Sequence, residues 1–370
     1  MGEAKNGQIR QSNIELLRII SMCMIIAMHY MTKGMVLPKL SDDISLHNVI
    51  FRLIFAFCAS SVNVYVFISG YFAIDSKWSI GKLIRLWIQV LLYSVLVPVV
   101  LWAAGVVDIS SMDLGTKQQI FLPISYEHYW FATSYVLLYL FCPVLAVAID
   151  KLNKKQLGTT IAVLLTVFCG FKSVNPYLIP WDKYGDDVIW FMVLYLIAGY
   201  IRLYGVPFID KKDEQDTRGY EDESENDIRR KSAGRRGLAV YIISSILTFA
   251  IALVVSFIVR NTGKLEYYMD MTLCYNYITV LIASVGLFCA FKNLNIRSNG
   301  FINRIAGYTF GVYLLHENIV LRDLWPHILG IGYASGRWWQ IIHMIVCIIV
   351  VFAAGCIIDS IRAWLFGKVR

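Results

Sequence analysis

An arginine and a histidine, Arg18 and His29, lie in one apolar stretch near the N-terminus, which reads RIISMCMIIAMHY. Eleven helical steps bring His29 back to nearly the face that carries Arg18, because each residue turns the helix by about 100°. Glu15 lies three residues before Arg18, on the same stripe, and can pair with it. Because charge buried in lipid costs several kcal/mol, this stripe predicts a functional surface that faces other helices.

The stripe is polar at its two ends and apolar in its middle, where Met22 and Ile25 lie. About 16 Å of helix separates Arg18 from His29. Histidine titrates at about pH 6.5 and is the usual general base, whereas arginine is typical of phosphate binding. Two interpretations remain open: the stripe borders a site, or Arg18 extends to the headgroups while His29 lies at the outer interface.

The composition indicates the class of protein. The chain has 370 residues, of which 58% are hydrophobic and 16% charged, whereas about 25% of a soluble domain is charged. Together with a mean hydropathy of +0.59, these values predict a protein that crosses a membrane several times. Basic residues at the cytoplasmic ends of spans explain the net charge of +8, so we expect a lipid bilayer and no nucleic acid as partner.

Ten stretches are apolar enough to cross a bilayer, which takes about 20 residues in a helix. The sequence therefore predicts an all-α bundle of about ten transmembrane helices that forms a single domain, residues 1–370. Most of the 34 Lys and Arg residues fall in the N-terminus, the C-terminus and the loops on their side, which predicts that both termini are cytoplasmic. The predicted spans are about 13–31, 49–74, 83–106, 129–149, 157–174, 187–204, 237–259, 271–291, 305–321 and 340–365, and the ninth is the weakest.

Three further features are the N-terminus, a charged segment and the cysteines. The N-terminus has a basic start and an apolar core, but no small-residue cleavage site precedes His29, which predicts a retained first span. Residues 210–236 are dominated by charge and predict a flexible cytoplasmic linker between the sixth and seventh spans. All eight cysteines lie in apolar runs without a close pair, so no metal site is expected.

A second histidine, His316, lies in the outer half of the ninth predicted span. Tyr313 and Thr309, three and seven residues earlier, share its helical face, and Glu317 follows it directly. A buried histidine with satisfied hydrogen bonds and a functional histidine level with His29 are both consistent with this pattern. His128 is a candidate at the outer start of the fourth span.

The segment NIELLRIISMCMIIAMHY resembles the first span of the acyltransferase-3 family, integral membrane enzymes that acylate cell-surface glycans and small molecules. The family signature is an arginine, ten residues and then a histidine, matched here by Arg18 and His29, and Glu15 matches the preceding acidic residue. Later family segments are similar, in family order, to VNVYVFISGYF (62–72), KLIRLW (82–87), HYWFATSYVLLYLFCPVL (128–145) and YTFGVYLLHEN (308–318).

The resemblance implies transfer of an acyl group, usually acetyl, from acyl-CoA to a hydroxyl, often on an extracytoplasmic sugar. It implies a multi-pass protein of the bacterial plasma membrane, in the stand-alone form without a fused extracytoplasmic domain. Acetyl-CoA would be a donor substrate, and no cofactor would be permanently bound. By this resemblance and the spacing above, the candidate catalytic residues are His29, His316 and Glu15, and the candidate donor-binding residues are Arg18, Lys82, Arg85 and Ser69.

The chemistry leaves two roles open for His29, a general base on the acceptor hydroxyl or an acyl-histidine intermediate. Because the basic candidates are cytoplasmic and the histidines are near the outer face, we expect the donor to reach through a narrow channel with Met22 and Ile25 at its waist. One alternative is a transporter or flippase for a glycan precursor or small solute, and another is a membrane sensor with the linker as its output. The apolar waist counts against a continuous proton relay.

Overall fold

The structure, a computed structural model, describes residues 10–37, 45–74, 78–175, 183–210, 223–264, 268 and 274–366. Within these ranges every regular element is helical, so the predicted all-α class is confirmed. One large cluster of buried apolar side chains extends along the chain from Ile14 to Cys356 and forms the core of the bundle.

Seven helices within the described residues are long and apolar enough to cross a membrane, and two shorter apolar helices accompany them. α2 and α3 together make one of the seven, with a break at residues 59–60. The first six helices are α1 (Ser12–Lys33), α2 (Leu46–Cys58), α3 (Ser61–Ala73), α4 (Ile80–Ala103), α5 (Leu114–Phe121) and α6 (Trp130–Lys151).

The middle of the chain adds one span that contains a π-helical turn, one very long helix and the two shorter apolar helices. The turn, Thr166–Phe171, connects the two α-helical parts of the fifth predicted span. The helices are α7 (Lys154–Leu165), α8 (Lys172–Val174), α9 (Val188–Tyr204), α10 (Glu223–Thr262) and α11 (Ile278–Lys292).

Part of the predicted linker is helical. α10 begins at Glu223, so residues 223–236 form the start of this helix, while residues 211–222 lie outside the described residues. Ion pairs four residues apart stabilise this charged part of the helix. They join Arg229 to Glu225 at 2.8 Å and Lys231 to Asp227 at 2.6 Å.

The long helix α10 packs closely against α11 because both helices carry glycine at the contact. A Cβ at Gly237 would lie 2.7 Å from the backbone nitrogen of Ala290, and one at Gly286 would lie 2.6 Å from that of Tyr241. Small residues that let two backbones approach are typical of helix packing in membranes.

The ninth predicted span, residues 305–321, is not one helix. The chain instead forms α12 (Gly300–Ala306) and α13 (Thr309–His316), and then α14 (Leu321–Ile328), α15 (Ile331–Ala334) and the last span, α16 (Gln340–Phe366). Thr309 Oγ1 donates to the carbonyl of Ala306 at 2.9 Å across the break. Non-helical backbone at membrane depth is tolerated where protein surrounds it, and α13 is almost entirely buried.

α13 packs closely against a buried carboxylate of α16. Asp359 on α16 is fully buried and accepts hydrogen bonds from Tyr93 on α4 at 2.7 Å and from Arg362 at 2.6 Å. Gly311 on α13 packs directly against this carboxylate, and a Cβ there would overlap it. The helix that carries His316 is therefore held at a fixed distance from α4 and α16.

Candidate functional site

Three side chains converge near the C-terminal end of α1. His29 Nδ1 lies 2.9 Å from His316 Nε2 and 3.2 Å from Glu317 Oε1. The His29 side chain is 16% exposed and that of Glu317 is 8% exposed. The structure thus brings together two histidines that lie 287 positions apart in the sequence.

α1 presents His29 because both of its ends are fixed. At one end, the hydroxyl of Ser12 donates to Asn303 Oδ1 at 2.9 Å. At the other end, the hydroxyl of Tyr30 contacts His343 Nδ1 at 2.9 Å, which joins the last turns of α1 to the start of α16. His29 immediately precedes Tyr30, so this contact fixes the position of His29 along the axis of α1 and the direction in which it leaves the helix.

α13 ends at His316, and side chains from other helices satisfy the backbone groups around that end. The hydroxyl of Tyr129 donates to the carbonyl of Leu314 at 2.9 Å. The backbone nitrogen of Ile319 donates to His128 Nε2 at 2.7 Å. Since an unpaired backbone group in a membrane costs several kcal/mol, these contacts allow the helix to stop within the bundle.

His128 therefore supports the site and does not belong to it. Its Nε2 accepts from Ile319, so the proton of the neutral ring is on Nδ1, which contacts Ser94 Oγ at 2.8 Å and the carbonyl of Gln119 at 3.1 Å. Burial lowers the pKa of His128 to about 4, which keeps this ring neutral at pH 7. We expect the neutral ring to hold the chain that follows Glu317.

The hydrogen bonds also fix the proton positions of the two central histidines. His316 Nδ1 lies 2.6 Å from the carbonyl of Val312 and must donate to it, so His316 Nε2 is an acceptor. His29 Nδ1 then donates to His316 Nε2, and a lone pair is left on His29 Nε2. A neutral histidine oriented in this way is arranged to act as a general base.

Arg18 lies between two cavities at the other end of the stripe. Its Nη1 donates to Glu15 Oε2 at 3.0 Å. The first cavity, of about 250 Å³, is also lined by Ser69, Lys82 and Tyr135. The second, of about 260 Å³, is lined by Arg10, Ser69 and Tyr135 as well as Arg18. We call these two spaces the Arg18 cavities.

A third cavity lies beside His29 and is much smaller. It measures about 20 Å³, which is room for about one water molecule. Met22, Ile25 and Tyr313 are among its lining residues, and it shares Tyr65, Phe131 and Phe310 with the second Arg18 cavity. The stripe on α1 therefore borders a series of cavities that narrows from Arg18 toward His29.

Comparison with known proteins gives one match. The family model described as an acyltransferase domain, that of the acyltransferase-3 family, matches residues 11–359. The chain belongs to the acyltransferase-3 family. It is a multi-pass membrane acyltransferase, and the resemblance noted in the sequence is confirmed. No curated protein and no solved structure matches the chain.

The structure separates the predicted site residues of this acyltransferase into two groups. His29 and His316 are in contact, whereas Glu15 pairs with Arg18 at the opposite end of α1, about 21 Å from His29 along the helix. Ser69 and Lys82 line the first Arg18 cavity. Arg85 is exposed and is not part of the lining of either Arg18 cavity.

Sequence reasoning did not select three residues that the structure places at these sites. Glu317 contacts His29, Tyr313 lines the His29 cavity, and Arg10 lines the second Arg18 cavity. Glu317 directly follows His316, and Tyr313 shares its helical face, so proximity to a candidate histidine was the available signal. Arg10 precedes the first span by only two residues, and no spacing rule relates it to Arg18.

Proposed function

We propose that this acyltransferase moves an acetyl group from acetyl-CoA to a hydroxyl of a cell-surface or exported glycan, in the plasma membrane of a bacterium. The observation that carries the proposal is the hydrogen-bonded chain from Val312 through His316 to His29. It leaves a basic nitrogen beside a cavity, and the series of cavities leads from it to the basic residues around Arg18.

His29 acts as the general base in this reaction. Its Nε2 takes the proton of the acceptor hydroxyl while the oxygen attacks the thioester carbonyl carbon. The new carbon–oxygen ester bond forms, the carbon–sulfur bond breaks, and the proton passes from His29 to the departing thiolate of coenzyme A. The Glu317 carboxylate, 3.2 Å from His29 Nδ1, stabilises the imidazolium that exists between the two proton transfers.

Tyr313 supplies the hydrogen bond that the reacting carbonyl oxygen needs. Its hydroxyl is buried and donates no hydrogen bond to any residue that the structure describes, while the backbone N–H of Phe131 lies near its oxygen. Tyr313 lines the same cavity as His29, so the hydroxyl is available to the negative charge that develops on the carbonyl oxygen.

The donor enters from the side of the Arg18 cavities. Arg10, Arg18 and Lys82 line them and give coenzyme A phosphates three cationic partners. The pantetheine arm extends along the stripe past Met22 and Ile25 toward His29. Because the His29 cavity holds only about one water molecule, rings such as Phe131 must rotate to admit the thioester.

The first experiment measures transfer of radiolabel from acetyl-CoA to a polymeric or lipid-linked glycan as an alkali-labile ester. We expect His29→Ala and His316→Ala to abolish the label in protein that remains folded. The matched control is His327→Ala, because His327 is exposed at the surface. Wild-type transfer by folded His29→Ala protein would refute the assignment of the base.

A second experiment tests the donor side with a pair of neighbouring cations. Lys82 lines an Arg18 cavity and Arg85, three residues later, does not. We expect Lys82→Gln to raise the KM for acetyl-CoA and Arg85→Gln to leave it nearly unchanged. The proposed entry route is wrong if Arg85→Gln has the larger effect.

A further inference from the structure

The atoms that converge at His29 have the chemistry of a metal site as well as that of a hydrogen-bonded triad. His29 Nδ1, His316 Nε2 and Glu317 Oε1 all lie within 4.8 Å of one another. Two imidazole nitrogens and one carboxylate oxygen form a ligand set that suits Zn²⁺ and similar divalent transition metals. No spacing in the sequence indicates this ligand set, because its members come from two distant segments.

A second observation concerns the Glu317 carboxylate alone. Its side chain is 92% buried, and Oε1 accepts no hydrogen bond from any residue within the described ranges. His29 Nδ1, its neighbour at 3.2 Å, has a single proton, which it donates to His316. Because a buried carboxylate oxygen that accepts no hydrogen bond is costly, this oxygen is arranged to receive a cation.

Two of the three separations between the ligand atoms are close to those of such a site. Zn²⁺ binds imidazole nitrogen and carboxylate oxygen at about 2.0–2.2 Å, which in a tetrahedral site places the ligand atoms about 3.3 Å apart. The separations from His29 Nδ1 are 2.9 and 3.2 Å. The second ring nitrogen of His316 donates to the Val312 carbonyl, a contact that typically orients a metal-binding histidine.

We propose that His29, His316 and Glu317 bind a divalent transition-metal ion of the Zn²⁺ class, and that the bound ion blocks acyl transfer. The ion takes the lone pair of His29 Nδ1, so the ring proton moves to Nε2. His29 then has no free lone pair at Nε2 and cannot accept the proton of the acceptor hydroxyl. The blocking effect rests on the proposed function, whereas metal binding does not.

Binding is tested first, without any activity measurement. Purified, detergent-solubilised protein is titrated with Co²⁺, which reports tetrahedral coordination through its visible absorption, and Zn²⁺ is then added as competitor. We expect one equivalent of Co²⁺ in wild-type protein and in the His327→Ala control. Glu317→Gln keeps the shape of the side chain and should weaken binding at least about tenfold.

Two outcomes would overturn the site. One is the absence of a tetrahedral Co²⁺ spectrum in folded wild-type protein, and the other is equal affinity in wild-type and Glu317→Gln protein. His316→Ala provides the second variant, with thermal unfolding as the check that it is folded, and it should also lose the spectrum.

Activity is measured second, in metal-free protein and after addition of one equivalent of Zn²⁺. We expect Zn²⁺ to abolish acetyl transfer and a chelator to restore it. Unchanged transfer with one bound equivalent would refute the blocking effect. Absence of transfer in metal-free wild-type protein would instead contradict the proposed function, and the Co²⁺ titration would still decide the metal site.

Discussion

Substitution of Tyr313 by phenylalanine separates an effect on catalysis from an effect on folding most clearly. The residue is 4% exposed and lines the His29 cavity, yet its hydroxyl proton has no acceptor within the described part of the chain. Tyr313→Phe removes this oxygen and leaves the ring, which packs against Tyr129, Phe131 and Phe310.

The two expected effects have opposite signs. Loss of one donor to the developing oxyanion lowers kcat by about 10²–10³-fold, equivalent to about 2.7–4 kcal/mol of transition-state stabilisation. A buried hydroxyl proton without an acceptor costs about 1–3 kcal/mol, so removal of this hydroxyl should leave the free energy of unfolding unchanged or raise it. A less active and equally or more stable variant is therefore the signature of Tyr313 as a donor to substrate.

The assay combines steady-state acetyl transfer with thermal unfolding of the same purified samples. Tyr129→Phe is the matched control, because its hydroxyl donates to Leu314 and accepts from Asn318, both at 2.9 Å. This variant leaves buried partners unsatisfied and should lose about 1–3 kcal/mol of stability. The reasoning is refuted if Tyr313→Phe retains the wild-type kcat, or if it is destabilised as much as Tyr129→Phe.

Three other predictions follow from the same geometry. Arg18→Gln should raise the KM for acetyl-CoA at least about tenfold, since a hydrogen bond to a charged group contributes about 1.5–3 kcal/mol, and steady-state kinetics should show little change in kcat. Gly311→Ala places a Cβ against Asp359 and should lower the thermal unfolding midpoint, by about 1–3 kcal/mol of stability. The pKa of His128, about 4 when folded, is below the unfolded value, so its contribution is complete above about pH 6.5 and is lost as the pH falls toward 4. Wild-type protein should therefore lose more stability between pH 7.5 and pH 5 than His128→Asn, as measured by thermal unfolding.

The part of the site on α1 could be predicted from the sequence because its geometry is local. Helical rotation alone places Glu15, Arg18 and His29 on one stripe, and the structure shows the first two paired at 3.0 Å. Met22 and Ile25 line the His29 cavity, as the same stripe predicts. Most spans were predictable for a similar reason, since their length and apolarity are properties of contiguous residues.

Contacts between distant segments were not predictable from spacing. The pair His29 and His316 depends on how α1 and α13 pack, and no periodicity relates the two helices. Arg85 shows the same limit: it follows Lys82 by less than one turn, yet only Lys82 lines a cavity. The helical part of the charged linker was missed because composition alone predicts disorder, whereas ion pairs at helical spacing favour a helix.

The break at the end of α13 explains why the site contains a carboxylate as well as two histidines. In a continuous helix, His316 and Glu317 would point about 100° apart, and only one of them could face His29. Because the helix stops at His316, both side chains contact the same atom of His29, at 2.9 and 3.2 Å. Where the helix ends, backbone groups lose their helical hydrogen bonds and need other partners, and His128 and Tyr129 provide them. The interrupted ninth span, the weakest of the predicted helices, is thus the element that assembles the site.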